Sequence, residues 1–460
     1  MMTKTDRAAG LLAKYDRRVP RYTSYPTAVQ FTPAVQGDRY RVWLGGLDPA
    51  LPLSLYIHIP FCDSLCWFCG CNTKVVRRYA PIAAYMELLL RELDLVADLL
   101  PGSGDNGRHK VCHVHLGGGT PTILEPADME RLFERLRARF DLLPDADIAI
   151  ENDPREFNQD LVETMARVGV NRASLGLQDV NLQVQQAVNR VQSIDETTRV
   201  AQALRGAGIG SINIDLMYGL PYQSVARVLT SIEAVLELAP DRVCLFGYAH
   251  VPWMKKHQRL IDEAGLPDAE ERFAQYLAAA ARLQEAGYQW IGLDHFARPG
   301  DDLAQAARNK TLHRNFQGYT TDDAPVRLGF GPSAIGMLPQ GFAQNEVPMN
   351  VYRDAIEAGA LPVARGLVLS EDDRLRGAVI EQLMCFLEAD LGAIAHRFEA
   401  DPRVFTDALA ALQEMVADGL VEIDGWKVRV SEAGRPFLRT ACAAFDSYLE
   451  PTATRHAQAV

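Results

Sequence analysis

Leu53-Ser54-Leu55-Tyr56-Ile57-His58-Ile59-Pro60-Phe61-Cys62-Asp63-Ser64-Leu65-Cys66-Trp67-Phe68-Cys69-Gly70-Cys71 decides how the rest of the chain is read. Its opening run, 53–59, is apolar and β-rich and predicts a strand. The cysteines that follow are spaced C-x3-C-x2-C. Cys62, Cys66 and Cys69 can therefore wrap a loop around a 4Fe-4S cubane and bind three of its irons, leaving the fourth without a protein ligand. A closed zinc site is the plain alternative, but such sites usually pair two knuckles from separate segments, and no second knuckle follows. Cys71 completes a four-thiolate set only by bending back over one residue from Cys69.

Working outward, four of the eight cysteines crowd into this loop, while Cys112, Cys244, Cys385 and Cys442 are scattered through apolar surroundings. A tight cluster in a long chain points to metal or redox chemistry, whereas a disulfide framework spreads its cysteines. The scattered four read as small buried hydrophobes. With 460 residues and 48% hydrophobic composition the chain can bury a sizeable core, in about two or three domains. A net charge of -12 disfavours the broad Lys/Arg surface from which nucleic-acid binding draws its affinity. Met1 to Arg7 contains no signal-type apolar stretch, and no later segment approaches the roughly eighteen apolar residues of a membrane span. The expectation is a cytoplasmic protein with no nucleic-acid partner and no membrane span.

Short β-rich runs recur along the chain: 53–59, 111–116, 147–151, 172–177, 211–216 and 242–248. Helical patterns lie between or after them over 80–100, 125–140, 197–206 and 224–238. This alternation requires parallel strands with crossover helices, an α/β sheet or open barrel, in which chemistry sits at the carboxyl ends of the strands. An arm holding Pro20-Arg21-Tyr22-Thr23-Ser24-Tyr25-Pro26-Thr27 precedes the first strand and reads as an extended segment. Beyond residue 360 helices are expected over 372–387, 391–398 and 403–418. A hairpin of 420–423 and 427–430 turned at Asp424-Gly425 follows, a winged-helix-like pattern.

The strand ends carry the polar residues. The second ends in His115-Leu116-Gly117-Gly118-Gly119-Thr120-Pro121-Thr122, whose glycines let a ligand approach the backbone. Glu151, Gln178 and Asp215 end the next three. Carboxylates ending apolar strands are costly to bury unless paired, so a ligand amine or ribose hydroxyl is a natural partner. Each taken alone also reads as a helix cap.

The cysteine loop with its aromatic Phe68, set at the end of a first barrel strand, resembles the radical S-adenosylmethionine (SAM) superfamily signature. More narrowly, the arm from Pro20 to Thr27, Phe68-Cys69-Gly70-Cys71-Asn72, Asp294-His295-Phe296-Ala297-Arg298-Pro299, His313 to Thr321 and Arg439 to Tyr448 resemble the oxygen-independent coproporphyrinogen III oxidase family. A related haem-chaperone-like family shares the first barrel strands but generally lacks the Gly70-Cys71-Asn72 continuation and the 313–321 stretch. Trp67, Asn152 and Pro332 depart from the family pattern without removing a ligand.

The resemblance implies a partial (β/α) barrel of radical SAM type over 51–355. An N-terminal arm over 1–50 and a mainly helical, winged-helix-like part over 356–460 would cover its mouth. It implies a 4Fe-4S cluster on Cys62, Cys66 and Cys69 and two SAM molecules. The first would contact Tyr56, Gly118, Glu151, Ala249 and Ile335; the second Phe68, Gly119, Thr120, Gln178, Arg190 and Asp215. The implied reaction turns two propionates of coproporphyrinogen III into vinyl groups by way of a 5'-deoxyadenosyl radical. A tetracarboxylate substrate needs cations, and Arg21, Arg298, Lys310 and Arg314 are the candidates, each with a solvated or ion-paired surface role as the plain alternative. An electron donor such as a flavodoxin-like or ferredoxin-like protein and a monomeric state complete the expectation.

Overall fold

In a computed structural model, which describes residues 4–102 and 107–449, the strand-helix alternation becomes one open sheet. Its strands are β1 Leu53–Ile59, β2 Lys110–Gly118, β3 Asp141–Asn152, β4 Arg172–Gln178, β5 Ser211–Tyr218, β6 Arg242–Gly247, β7 Gln289–Ile291, β8 His295–Ala297, β9 Val326–Phe330, β10 Ile335–Leu338, β11 Gly341–Asn345 and β12 Val363–Val368. Their spatial order is β12-β11-β10-β9-β1-β2-β3-β4-β5-β6-β8-β7. From β9 through β1 to β6 all neighbours are parallel. Both margins are antiparallel. The expected α/β partial barrel is thus present, with margins absent from the sequence-based expectation.

Parallel strands covered on both faces need near-continuous apolar runs. In β1, Leu53, Leu55, Ile57 and Ile59 are all fully buried. The crossover helices Ala80–Ala97, Pro126–Arg139, Gln159–Arg167, Ile194–Gly206 and Val225–Leu238 start on recognisable signals. Ser193 and Glu196 form a reciprocal capping box, and Ser224 caps the last of these helices, as short polar side chains do for orphan N–H groups.

The arm is more than an extended strap. It holds a helix, Lys4–Tyr15, then extended chain, then a second helix, Gly37–Gly45. It is tied to the C-terminal part: the Tyr22 hydroxyl donates to Asp446 at 3.0 Å, and Arg439 donates to the carbonyls of Val19 and Pro20. Helices Glu371–Phe386 and Leu391–Arg397 agree with the helical reading. The span expected as one helix over 403–418 is instead a 3-10 turn, Pro402–Phe405, and two short helices, Thr406–Ala411 and Gln413–Ala417. The hairpin pairs Val421–Asp424 with Lys427–Val430. It turns at Gly425 and Trp426, and an unexpected third strand, Glu388–Asp390, flanks it. The sheet continues through β12, so a boundary after 355 would cut the helix Met349–Glu357; sheet continuity argues for a break after Val368. The outer ends of the arm and of the C-terminal part lie outside the described residues. Among the described residues no helix is long and apolar enough to cross a membrane.

Candidate active site at the carboxyl end of the sheet

The cysteine loop leaves β1 at its carboxyl end and is clamped at its base, where Phe61 and Cys62 pair in parallel with Lys74 and Val75. Neighbouring segments hold its backbone. The Trp67 N–H donates to Val188 O at 2.9 Å, and the Asn189 side chain to Leu65 O at 2.9 Å. Gln258 Nε2 donates to Phe68 O at 3.1 Å and to Ala249 O at 3.2 Å. His257 Nε2 lies 2.7 Å from Cys69 O. Phe68 packs with Val184, Val188 and Tyr248 in a small apolar cluster.

Each of the three sulfurs has a hydrogen-bond partner. Cys62 Sγ accepts from Thr120 Oγ1 at 3.4 Å and lies 3.1 Å from Thr73 Oγ1. Cys66 Sγ accepts from Arg190 Nη1 at 3.4 Å and Arg155 Nη2 at 3.5 Å. Cys69 Sγ accepts from the Cys71 N–H at 3.4 Å. Donors and guanidinium charge favour thiolate over thiol, so the loop's chemistry fits a group that binds thiolates. The Cys71 thiol beside it pushes Cys69 down, whereas burial pushes Cys62 up to about 11. Among the described residues no group of three Cys, His, Asp or Glu side chains is placed to hold a metal ion.

Both arginines at Cys66 are oriented by one buried carboxylate. Asp153 accepts from Arg155 at 2.6 Å and from Arg190 at 2.9 Å. Burial alone would push Asp153 up, but the two guanidinium groups outweigh it and hold its carboxyl below the ordinary value. Arg190, expected as a cofactor contact, also donates to Gly176 O. Its hydrogen bonds therefore run to Asp153, Cys66 and Gly176.

The glycine run fits tightly. A Cβ on Gly119 would fall 2.4 Å from Phe61 O, and one on Gly118 2.7 Å from the His58 ring. The Gly119 and Thr120 N–H groups donate to Ile59 O and Phe61 O, each at 2.8 Å. The run thus seats β2 against the cysteine loop, a packing role beyond the expected ligand approach. Glu151 accepts from the Gly118 N–H at 3.1 Å and lies 3.2 Å from His115 Nε2. Tyr56 OH lies 3.0 Å from His58 Nδ1, and its ring stacks on His115. Asp215 accepts from Ser174 at 2.9 Å and Asn213 at 2.7 Å; burial pushes its carboxyl up. Gln178 ends β4 with φ 71°, a left-handed conformation uncommon outside glycine. Ile335 opens β10 against Gly329, the register partner of Tyr56. Glu151, Gln178, Ala249 and Ile335 therefore stand at the sheet's loop-bearing end, whereas Tyr56 and Asp215, the latter expected at a strand end, sit within β1 and β5.

The four expected substrate cations separate. Arg21 and Arg314 line a cavity of about 200 Å³ beside Ala249, together with Arg18, Arg272 and Arg439. Arg298 does not reach it. Strand β8 runs antiparallel to β6, with Ala297 opposite Arg242, so the chain leaves β8 at the amino end of β6, and the Arg298 N–H donates to Asp241 O there. Lys310 caps the helix Asp302–Asn309 and pairs with Glu388 of the C-terminal sheet at 2.9 Å. Both therefore stand apart from the cavity that Arg21 and Arg314 line.

His58, Thr73, His115, Arg155, Gln258, Arg272 and Arg439 were not foreseen. His58 shares a strand face with Tyr56, and His115 lies opposite Tyr56 in register, so the period of two could have found both. Arg155 follows Asp153 in a motif read only for Glu151. Nothing local marks Arg272, within the helix Ala269–Glu285.

Comparison with known proteins follows the same division of the chain. The Radical SAM superfamily model matches residues 56–234, and the HemN C-terminal domain model matches 369–437. The oxygen-independent coproporphyrinogen III oxidase of Bradyrhizobium diazoefficiens is 49% identical over 98% of this chain and 100% of its own. A relative of the same name from Escherichia coli is 41% identical over 96% of each chain. The solved structure of coproporphyrinogen III oxidase (HemN) from Escherichia coli, a radical SAM enzyme, covers 94% of this chain and 100% of its own, with TM-score 0.88 and 39% identity.

Proposed function

The chain belongs to the oxygen-independent coproporphyrinogen III oxidase family of radical SAM enzymes, and from that premise we propose that it converts two propionates of coproporphyrinogen III to vinyl groups, giving protoporphyrinogen IX. When bound, a 4Fe-4S cluster on Cys62, Cys66 and Cys69 and SAM supply a reducing electron and hydrogen-atom abstraction by a 5'-deoxyadenosyl radical. Each propionate loses carbon dioxide. Of the two electrons released per vinyl group, one leaves with the abstracted hydrogen atom and the other passes to an acceptor.

The protein's own part is orientation and electrostatics. Thr120, Arg155, Arg190 and the Cys71 N–H stabilise thiolate charge on the ligands, since charge-assisted hydrogen bonds favour the ionised form. Tyr56, Gly118, Glu151, Ala249 and Ile335 are the proposed contacts of one SAM. Phe68, Gly119, Thr120, Gln178 and Asp215 are those of a second, with Arg190 a positioning residue through Cys66. Glu151 is suited to a ligand amine, because the Gly118 N–H and His115 leave part of its acceptor capacity free. A flavodoxin-like or ferredoxin-like donor, a monomeric state and a cytoplasmic location complete the reading.

The observation that carries it is adjacency: Gln258 bonds both Phe68 in the cysteine loop and Ala249 in the wall of the arginine cavity. A thiolate site and a carboxylate-attracting site so joined suit radical chemistry on a propionate. Anaerobic turnover of coproporphyrinogen III with SAM and reductant is the test, with protoporphyrinogen IX and 5'-deoxyadenosine as expected products. Deoxyadenosine without vinyl product would remove the assigned substrate.

A further inference from the structure

The cavity beside Ala249 inverts the charge of the chain around it. Five guanidinium groups, Arg18, Arg21, Arg272, Arg314 and Arg439, line it against a single carboxylate, Asp294, in a chain of net charge -12. Three are oriented by backbone carbonyls. Arg21 donates to Gly247 O at 3.1 Å, Arg272 to Tyr248 O at 2.8 Å, and Arg439 to Pro20 O at 2.9 Å.

Arg314 is the least satisfied. Its side chain is 4% exposed and lies 3.8 Å from Asp294, too far for a hydrogen bond. The nearer carboxylate oxygen is engaged by His295 Nδ1 at 2.8 Å. Arg314 Nε and Nη1 are buried and have no hydrogen-bond acceptor, while Nη2 reaches only Arg21 O at 3.4 Å. The guanidinium stacks on Tyr319 with its centre 4.3 Å from the ring centroid. Burial, reinforced by the charges of Arg21 and Arg314, pushes Arg439 down to about 10. Leaving buried guanidinium nitrogens without an acceptor is unfavourable. A carboxylate brought in from outside relieves it, and arginine binds carboxylates through paired N–H groups. At about 200 Å³ the cavity is below the range of about 300–1,000 Å³ typical for a whole drug-sized ligand, a size that suits a side arm.

We propose that this cavity is a carboxylate pocket in which Arg314, with Arg21, Arg272 and Arg439 around it, seats one propionate arm of the tetracarboxylate substrate and so positions the macrocycle beside the cysteine loop. This rests on the function proposed above. Arg272 and Arg439 thereby join the substrate-binding set, and Arg298 and Lys310 leave it.

The test is anaerobic equilibrium binding to the full chain, reconstituted with its cluster, using coproporphyrin III as a redox-inert tetracarboxylate probe and protoporphyrin IX as its dicarboxylate counterpart. The wild type should prefer coproporphyrin. Arg314→Gln should weaken coproporphyrin binding about tenfold to a hundredfold, the loss expected for hydrogen bonds to a charged group, and should abolish the preference. Arg314→Lys should recover part of the affinity, because it keeps the charge without the paired donors. Arg272→Gln serves as a second lesion should Arg314→Gln not fold, and is expected to act in the same direction. If a folded variant binds coproporphyrin as tightly as the wild type, or keeps its preference, the pocket is assigned wrongly even where the wild type turns the substrate over. A wild type that binds coproporphyrin with this preference but makes no vinyl product keeps the pocket and rejects the function.

Discussion

In the cysteine loop each of the three ligand-type sulfurs has a hydrogen-bond partner within the fold, whereas in the neighbouring cavity Arg314 keeps two N–H groups with none. Both regions stand at the same end of one sheet, and Gln258 joins them. The loop is preorganised: Asp153 fixes two arginines and the arginines face a sulfur. The cavity leaves donors of Arg314 unmet, and the proposed complement is a carboxylate from outside. A reactive group must be held in place before its substrate arrives, whereas a binding pocket gains selectivity by holding charge that only the right ligand offsets.

Breaking the loop should have the largest effect. Cys66→Ala should abolish vinyl formation and, after anaerobic reconstitution, lower iron below the wild-type content and reduce the broad visible absorption of the cluster. Next comes Gly119→Ala, whose Cβ would meet the Phe61 carbonyl at 2.4 Å. The cysteine loop has to shift, so turnover should fall by at least about tenfold, since catalytic geometry is sensitive to displacements of about 1 Å; iron content and single-turnover rate measure it.

Asp153→Asn is a smaller lesion of the same region. It leaves two guanidinium groups buried without their carboxylate and should cost about 3 kcal/mol of stability, read as a fall in Tm. The sign with pH follows from the lowered carboxyl. The contribution of Asp153 is present above the unfolded-state value of about 3.9 and is lost as pH falls through the lower folded value. The Tm difference between wild type and variant should therefore hold steady near neutrality and shrink on acidification. Arg298→Gln and Lys310→Gln mark the bottom of the scale: both sit away from the cavity, and KM for coproporphyrinogen should change by less than about twofold. A rise like that expected for Arg314→Gln would erase the distinction drawn between the two pairs of cations.

That distinction also measures what the sequence could disclose. Strand β1 was legible to the residue because it is apolar and buried on both faces. Strand β3 was read as 147–151 but begins at Asp141. The register with β2 slips between Val111 and His113, and the extra residues, Pro144 among them, form the kind of bulge a local pattern does not reveal. That the cysteine loop and the strand-end residues Glu151 and Gln178 lie together was readable because parallel strands direct their carboxyl ends to one mouth. The same rule does not carry Arg298 to that mouth, since β8 is antiparallel and its carboxyl end faces the other way. Lys310 was grouped with Arg314 by nearness in sequence, whereas the fold pairs it with Glu388. Arg272 and Arg439 reach the cavity only through tertiary packing, from a helix surface and from the C-terminal part.

The central claim, that the site at the cysteine loop removes a hydrogen atom from a propionate of the substrate, is tested most directly by following that hydrogen. Coproporphyrinogen III deuterated at the propionate β-carbons should, on anaerobic turnover with SAM and reductant, deliver deuterium into 5'-deoxyadenosine as vinyl groups form. Vinyl product accompanied by unlabelled 5'-deoxyadenosine would contradict the account.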